Sequence, residues 1–321
     1  MKFRHTLQIL IDNFSVTYKQ LLYKLVIALI TIGLSTAILY PLWRMFTNLP
    51  EFKNLIEGVK NFFNNLIEGN IEELGDINIR DKVKSALDSI KALIKSHTTV
   101  IALGIAGLIL IRLIGMFLSS LGNYAAAAVI NDKMALRAQS PFFITLLRNI
   151  KDASLYSLMY VPLSFLYDTI CVALMYFVVF KLLAFVPILV KIFIFATTIV
   201  FAITVKLTFA SDWLPALIRG KMKQLDAFAY TFSRKNKKTF NVLSNFVILA
   251  LIIFALNVFA LIFTFGVGVL ITVPASYVVL NCFQLVNYYD REELKYFLDK
   301  NTIIKPEKEE VLTREEFFKG E

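Results

Sequence analysis

FAYTFSRKNKKTFNVLSNFVILALIIFALNVFALIFTFGVGVLITVPASYVVLNCFQLVNYY, residues 228–289, decides the fold. Val242 to Phe265 carries no charged side chain. As a helix rising about 1.5 Å per residue, it is long enough to cross roughly 30 Å of hydrocarbon. Gly266 and Gly268 permit a tight turn, and Val269 to Val286 returns. Tyr288, Tyr289, Asp290 and Arg291 mark the exit to water. Upstream, Met222, Leu225, Phe228, Ala229 and Phe232 recur every three or four residues and share one helix face. Arg234, Lys235, Lys237 and Lys238 follow as a basic collar.

The rest of the chain repeats this plan. Residues 3–23 place Phe3, Leu7, Leu10, Ile11, Phe14, Tyr18, Leu21 and Leu22 on one face, which predicts an amphipathic helix in the headgroup plane. Leu25 to Trp43 is the first span and Thr98 to Leu121 the second, with an Ala-rich extension from Tyr124 to Ile130. Ser140 and Pro141 suit a helix start, as cap and first position. Phe142, Phe143, Leu146, Leu147 and Ile150 form a second interfacial stripe, and Leu155–Phe180 and Leu182–Leu207 are spans three and four. With 57% hydrophobic residues, 29 Phe and only 12 Gly and 8 Pro, helices are favoured over strands. The fold class read here is an all-α polytopic membrane protein. It has six transmembrane helices arranged as three hairpins, each preceded by an interfacial amphipathic helix.

The segments are 1–43, the interfacial helix and first span; 44–97, a helical hairpin outside the membrane; and 98–139, the second span and its extension. Then come 140–211, the second interfacial helix with spans three and four; 212–289, the basic interfacial helix with spans five and six; and 290–321, a charged tail. The 44–97 segment balances eight basic against eight acidic residues. Its stripes are Phe52, Leu55, Ile56, Val59, Phe62, Phe63 and Leu66, then Val83, Leu87, Ile90 and Ile94, broken at Gly69 and Gly75. The tail, with ten acidic and seven basic residues, is expected to hold one short helix, Arg291 to Leu298, and otherwise to be mobile. Basic short loops predict both termini in the cytoplasm. Thr145–Lys151 and Thr231–Lys237 echo each other weakly, in keeping with a repeated unit.

A charge within a span costs at least about 2.5 kcal/mol at mid-bilayer unless paired or hydrated. Asp168 therefore draws attention, some 13 residues and about 20 Å into span three. It is expected to pair with Arg112 or Lys191, as a fixed ion pair or as a coupling site. Asn257 in span five suits an interhelical hydrogen bond. Asp212, Trp213 and Pro215 suit a boundary anchor, with Arg219, Lys221 and Lys223 nearby for a headgroup. The collar Arg234, Lys235, Lys237, Lys238 contacts anionic lipid of the cytoplasmic leaflet at about 1 kcal/mol per charge.

The net charge of +10 is accounted for by these membrane-adjacent clusters, not by nucleic acid. The cysteines, Cys171 and Cys282, fall inside spans and read as packing residues. With His5 and His97 on opposite sides, no His-based metal site or triad is expected, nor is there a phosphate-binding P-loop. No cofactor and no catalysis are predicted.

Residues 210–291 contain Asp226-Ala-Phe228 leading to Ser233-Arg-Lys-Asn236, a long span, Gly266-x-Gly268-x-Leu-Ile-x-x-Pro274, and Tyr288-Tyr289-Asp290. This part resembles the membrane domain attached to some glycerophosphodiester phosphodiesterases, and related stand-alone six-span bacterial proteins. The resemblance implies a membrane module that handles or senses lipid, and it supplies no catalytic residue. Two functions are carried forward. One is binding or movement of a lipid-like molecule in a cavity near Asp168. The other is an accessory or scaffold subunit that docks a partner through 44–97 or the tail.

Overall fold

The computed structural model describes residues 2–51, 53–54, 56–57, 60, 79–135, 140–182, 185–233, 239–299, 301–306, 310–313 and 315–316. Six long helices carry the fold: α2 (Phe14–Thr47), α4 (Thr98–Met134), α6 (Ile150–Tyr176), α7 (Ile188–Ala210), α10 (Thr239–Phe263) and α11 (Val269–Arg291). All six are long and apolar enough to cross a bilayer. Shorter helices lie between them: α1 (Lys2–Asp12), α3 (Ile79–Ser96), α5 (Phe142–Arg148), α8 (Trp213–Ile218) and α9 (Gln224–Ser233). The expected turn at Lys181 is a single π-helical turn, Phe177–Leu182, which extends α6. Gly266, at φ +89°, takes the left-handed turn between α10 and α11.

Burial is inverted relative to a soluble bundle. Leu103, Leu158, Phe193, Leu256 and Phe263 are exposed along the long helices, whereas Thr17, Gln20, Asn131, Ser157, Thr204 and Asn287 are buried. Apolar surface of this extent needs lipid around it. The chain is a helical multi-pass membrane protein. Residues 3–23, expected as one amphipathic helix, are broken in two. They form two helices with a turn at Asn13, whose side chain donates to the Ile9 carbonyl at 2.7 Å. Leu7, Ile11, Phe14, Tyr18 and Leu22 face outward, while Thr6, Ile9, Asn13, Val16 and Gln20 face the protein.

The described chain falls into two compact units, residues 1–27 with 116–321, and residues 28–115. In the second, side chains of α2 reach glycines of α4. A Cβ on Gly104 would meet the end of Leu42 at 2.8 Å, and one on Gly107 the end of Ile38 at 2.8 Å. The helix expected from about Arg80 to Lys95 is α3; most of the first stripe of 44–97, with Gly69 and Gly75, lies outside the described residues.

In the first unit α11 is the pillar. Asn281 through Tyr289 are all buried, so this stretch touches neighbours on every side. Phe283 stacks on Phe3 of α1 at 5.3 Å and meets Phe246 of α10 edge-on at 5.0 Å. Tyr289 donates to Asn131 of α4 at 2.9 Å. The Ala-rich extension is core: Ala125 to Ala128 are buried.

Two local expectations are corrected. Pro141, not Ser140, occupies the cap position of α5, and no side chain caps that helix; the Ser140 hydroxyl instead accepts from Arg148 at 3.2 Å. The tail is not a helix plus mobile chain. Beyond α11, strands β1 (Tyr296–Phe297), β2 (Thr302–Lys305) and β3 (Glu310–Thr313) form an antiparallel meander in that order. Asp299 accepts from the Asn301 and Thr302 amides at 2.7 and 2.8 Å, which builds the first turn, and Tyr296, Leu298, Ile303 and Ile304 are buried.

Gly122 sets a sharp test of this packing. Its Cβ would fall 2.5 Å from the Tyr23 ring, which is pinned by a 2.9 Å bond from its hydroxyl to the Leu118 carbonyl. Gly122→Ala should destabilise the detergent-solubilised protein by about 1–3 kcal/mol. Gly33→Ala, with nothing within 4 Å, should be neutral or slightly stabilising in thermal unfolding.

Candidate functional site

Asp168 on α6 accepts from Lys206 of α7 through both carboxylate oxygens at 2.8 Å. The expected partner Lys191 lies fifteen residues from Lys206 on the same helix, about 22 Å along its axis. Arg112 belongs to the other compact unit. Lys206 sits at the very end of the span read as Leu182–Leu207 and so looked like a boundary residue, whereas α7 continues to Ala210. Asn257 ties α10 to α11, donating to Ser276 Oγ at 3.1 Å and accepting from Thr272 Oγ1 at 2.8 Å.

A second buried cation was also overlooked. Lys24 reads in sequence as part of the boundary before span one. In the structure its Nζ sits 3.0 Å from the centre of the Tyr277 ring on α11 and has no hydrogen-bond acceptor among the described residues. The signal was its place on the polar face of α2, four residues after Gln20 and seven after Thr17, both buried. Gln20 itself donates to Asn123 of α4 at 2.7 Å.

The Asp212–Pro215 segment is core, not a boundary anchor. Trp213 to Leu217 are buried in α8, Trp213 packs on Tyr156 and Phe228, and Asp212 forms an ion pair with Arg291 at the end of α11. This places the following linker, Arg219 to Lys223, against the bundle. Gly220 has no room for a side chain: a Cβ would lie 2.6 Å from the Ala216 carbonyl and 2.9 Å from the Tyr288 hydroxyl. Lys221 takes the left-handed region at φ 51°. Arg219 turns onto the Tyr289 ring at 5.3 Å.

Lys221 and Lys223 instead line a groove of about 820 Å³. Its other walls are the end of α4 (Tyr124, Ala128, Asp132), the start of α6 (Lys151, Asp152, Leu155) and the start of α9 (Gln224, Leu225, Asp226), with Arg148 and Met222. Four cations and three carboxylates share this space with an apolar floor. Arg148 is committed to Asp132 at 3.2 Å. Lys151, Lys221, Lys223, Asp152 and Asp226 make no ion pair among the described residues. Gln224 Nε2 donates to the Asp152 carbonyl at 3.1 Å and ties α9 to α6, while its buried Oε1 lacks a donor among the described residues. Below the floor the aromatic side chains Tyr124, Tyr156 and Tyr160 run in sequence at 6.0 and 5.2 Å between centroids. Residues Arg234, Lys235, Lys237 and Lys238 lie outside the described residues.

Beside α11, His5 forms a latch. Tyr296 gives its one O–H to Asp290 at 3.1 Å, so its 2.9 Å bond with His5 Nδ1 requires the ring nitrogen to donate. Lys2 adds an ion pair to Asp290 at 3.4 Å and a hydrogen bond to Asn287 at 3.2 Å. Burial lowers the His5 pKa, against the opposing pull of Asp290, and burial followed by Asp290 raises that of Tyr296. Among the described residues no group of three or more His, Cys, Asp or Glu could hold a metal ion.

Two outcomes follow from this geometry. Asp168→Asn and Lys206→Met should each destabilise the protein, and the double variant should lose less than their sum, with a coupling of about 1 kcal/mol or more in a double-mutant cycle. A base held below its ordinary value of about 6.5 contributes fully above that value and loses the contribution as pH falls through the lowered one. Acidification below pH 6.5 should therefore loosen α1, seen as faster amide exchange over residues 2–12, and His5→Gln should blunt that response. No protein family, characterised protein or solved structure was found to match this chain.

Proposed function

We propose that this chain is a non-enzymatic six-span protein of the bacterial plasma membrane that binds or moves a lipid-like amphipathic molecule. The groove walled by α4, α6, the α8–α9 linker and α9 is its binding site. One observation supports this reading: the groove joins an apolar floor (Leu155, Leu217, Met222, Leu225) to three cations, Lys151, Lys221 and Lys223, that make no ion pair among the described residues. An amphipathic molecule needs both surfaces at once, and a soluble ion needs only the second. The cavity lies at the ends of the spans and not beside Asp168, whose charge Lys206 already answers. With both termini cytoplasmic on the loop-charge rule, the groove opens at the inner leaflet, where anionic lipid attracts it. The resemblance of residues 210–291 to membrane domains of glycerophosphodiester phosphodiesterases points the same way, towards lipid handling without catalysis.

The test is binding of fluorescent lysophospholipids to the purified full-length protein. Each cation near a membrane surface contributes about 1 kcal/mol, so replacing Lys151, Lys221 and Lys223 together by Gln should weaken binding roughly 100-fold. Unchanged affinity in a correctly inserted triple variant would remove the groove from the account.

A further inference from the structure

We propose that α6 carries protons between the groove and the Asp168–Lys206 pair. Along this helix Asp152, Tyr156, Tyr160, Ser164 and Asp168 recur at every fourth residue. Side chains four apart on a helix are neighbours, so the five make one polar run about 24 Å long. Hydropathy hides the run, because tyrosine counts with the apolar residues around it. The contacts along it are continuous. Asp152 and Tyr124 both line the groove, within each other's field. Tyr124 and Tyr160 flank Tyr156 at 6.0 and 5.2 Å between ring centroids, and both act on it electrostatically. Tyr160 shares a hydrogen bond with Ser164 and lies in the field of Asp168.

Two observations set the run apart from core packing. Phenylalanine fills the same space as tyrosine, and this chain uses it 29 times against 13. The hydroxyls at 156 and 160 are what packing does not need. Orphaned polar groups also lie along the run. Ser157 Oγ and Trp213 Nε1 are buried without a hydrogen bond among the described residues, and the Trp213 ring meets Tyr156 at 5.4 Å and Tyr160 at 6.1 Å. These are groups that water held beside the tyrosines would answer.

The far end of the run is accessible. The Asp168 side chain keeps 46% of its surface and that of Lys206 20%. The groups that face Asp168 are Lys206 from α7 and Tyr160 and Tyr167 of α6 itself. Through Tyr160 it is joined to Tyr277 of α11, whose ring holds Lys24 of α2. Chains of ionisable side chains within spans serve proton movement. Here each hydroxyl takes a proton from the groove side and gives its own onward. One proton leaves the groove, one arrives on the Asp168 carboxylate, and the tyrosines end unchanged. The neutral carboxyl lets go of Lys206, and loss of the proton to the accessible side restores the pair. The relay needs no lipid in the groove and stands apart from the lipid reading.

The test is proton entry into vesicles that carry the full-length protein and enclose a pH-sensitive dye, driven by a potassium diffusion potential. The native protein should pass protons at least about tenfold faster than protein-free vesicles. Tyr156→Phe with Tyr160→Phe keeps both rings and should remove most of that excess, as should Asp168→Asn. The Phe pair should leave lysophospholipid binding in the groove unchanged. A native protein no faster than bare vesicles overturns the relay, and so does full flux in the correctly inserted Phe pair. Either result leaves the groove reading standing, because lysophospholipid binding is measured separately.

Discussion

Asn281 to Tyr289, the last turns of α11, hold the first unit together, because this stretch is buried on every side and polar side chains along the helix meet partners on other elements. α1 answers with Lys2 and Phe3, α2 with Lys24 at Tyr277, α4 with Asn123 and Asn131, α8 with Asp212, and α10 with Asn257 and Phe246. Between helices in lipid there is no hydrophobic drive, since the surroundings are as apolar as leucine. Close packing and these polar contacts therefore carry the association. The sheet beyond Arg291 extends the arrangement, with Tyr296 bridging His5 to Asp290.

The groove follows from the same constraint. The buried ion pair of Asp212 with Arg291, and the Trp213 cluster, fix α8 against α11. The linker Arg219–Lys223 must then double back in five residues, through a glycine with no space for a side chain and a lysine at positive φ. That reversal brings Lys221 and Lys223 opposite the start of α6. The groove is thus assembled from helix ends and a linker with one residue at positive φ, over an apolar floor with the Tyr124–Tyr156–Tyr160 run beneath it.

The six spans were legible because length and lack of charge suffice to define them, as at Val242–Phe265. What the protein buries behind the outward apolar face of residues 3–23 was not legible: Thr6, Asn13 and Gln20 carry no hydropathy signal, and only their partners on other elements account for their burial. Lys24 and Lys206 were missed because a lysine at the edge of an apolar run looks like a topology signal until a neighbour, Tyr277 or Asp168, is found beside it. The pairing of Asp168 within its span was foreseen in kind and not in partner. The groove was half visible, in Lys221 and Lys223. Its other half comes from residues seventy positions away, joined to it by contacts such as Gln224–Asp152 that only the fold provides. The meander was missed because Tyr296, Leu298 and the Thr302–Ile304 run are short and set among charges, and an Asp299 turn carries no helical or hydropathy signal.

The central claim is that apolar side chains here face outward to lipid around a buried core organised by α11, in which polar side chains sit among apolar ones. Spin labels placed singly at Leu158, Phe193, Leu256 and Asn281 in the bilayer-reconstituted protein test it most directly. The account predicts frequent collisions with dissolved oxygen and few with a water-soluble nickel chelate at the first three. At Asn281 it predicts an immobilised label reached by neither. A chelate-accessible Leu158, Phe193 and Leu256, or a lipid-exposed Asn281, would contradict it.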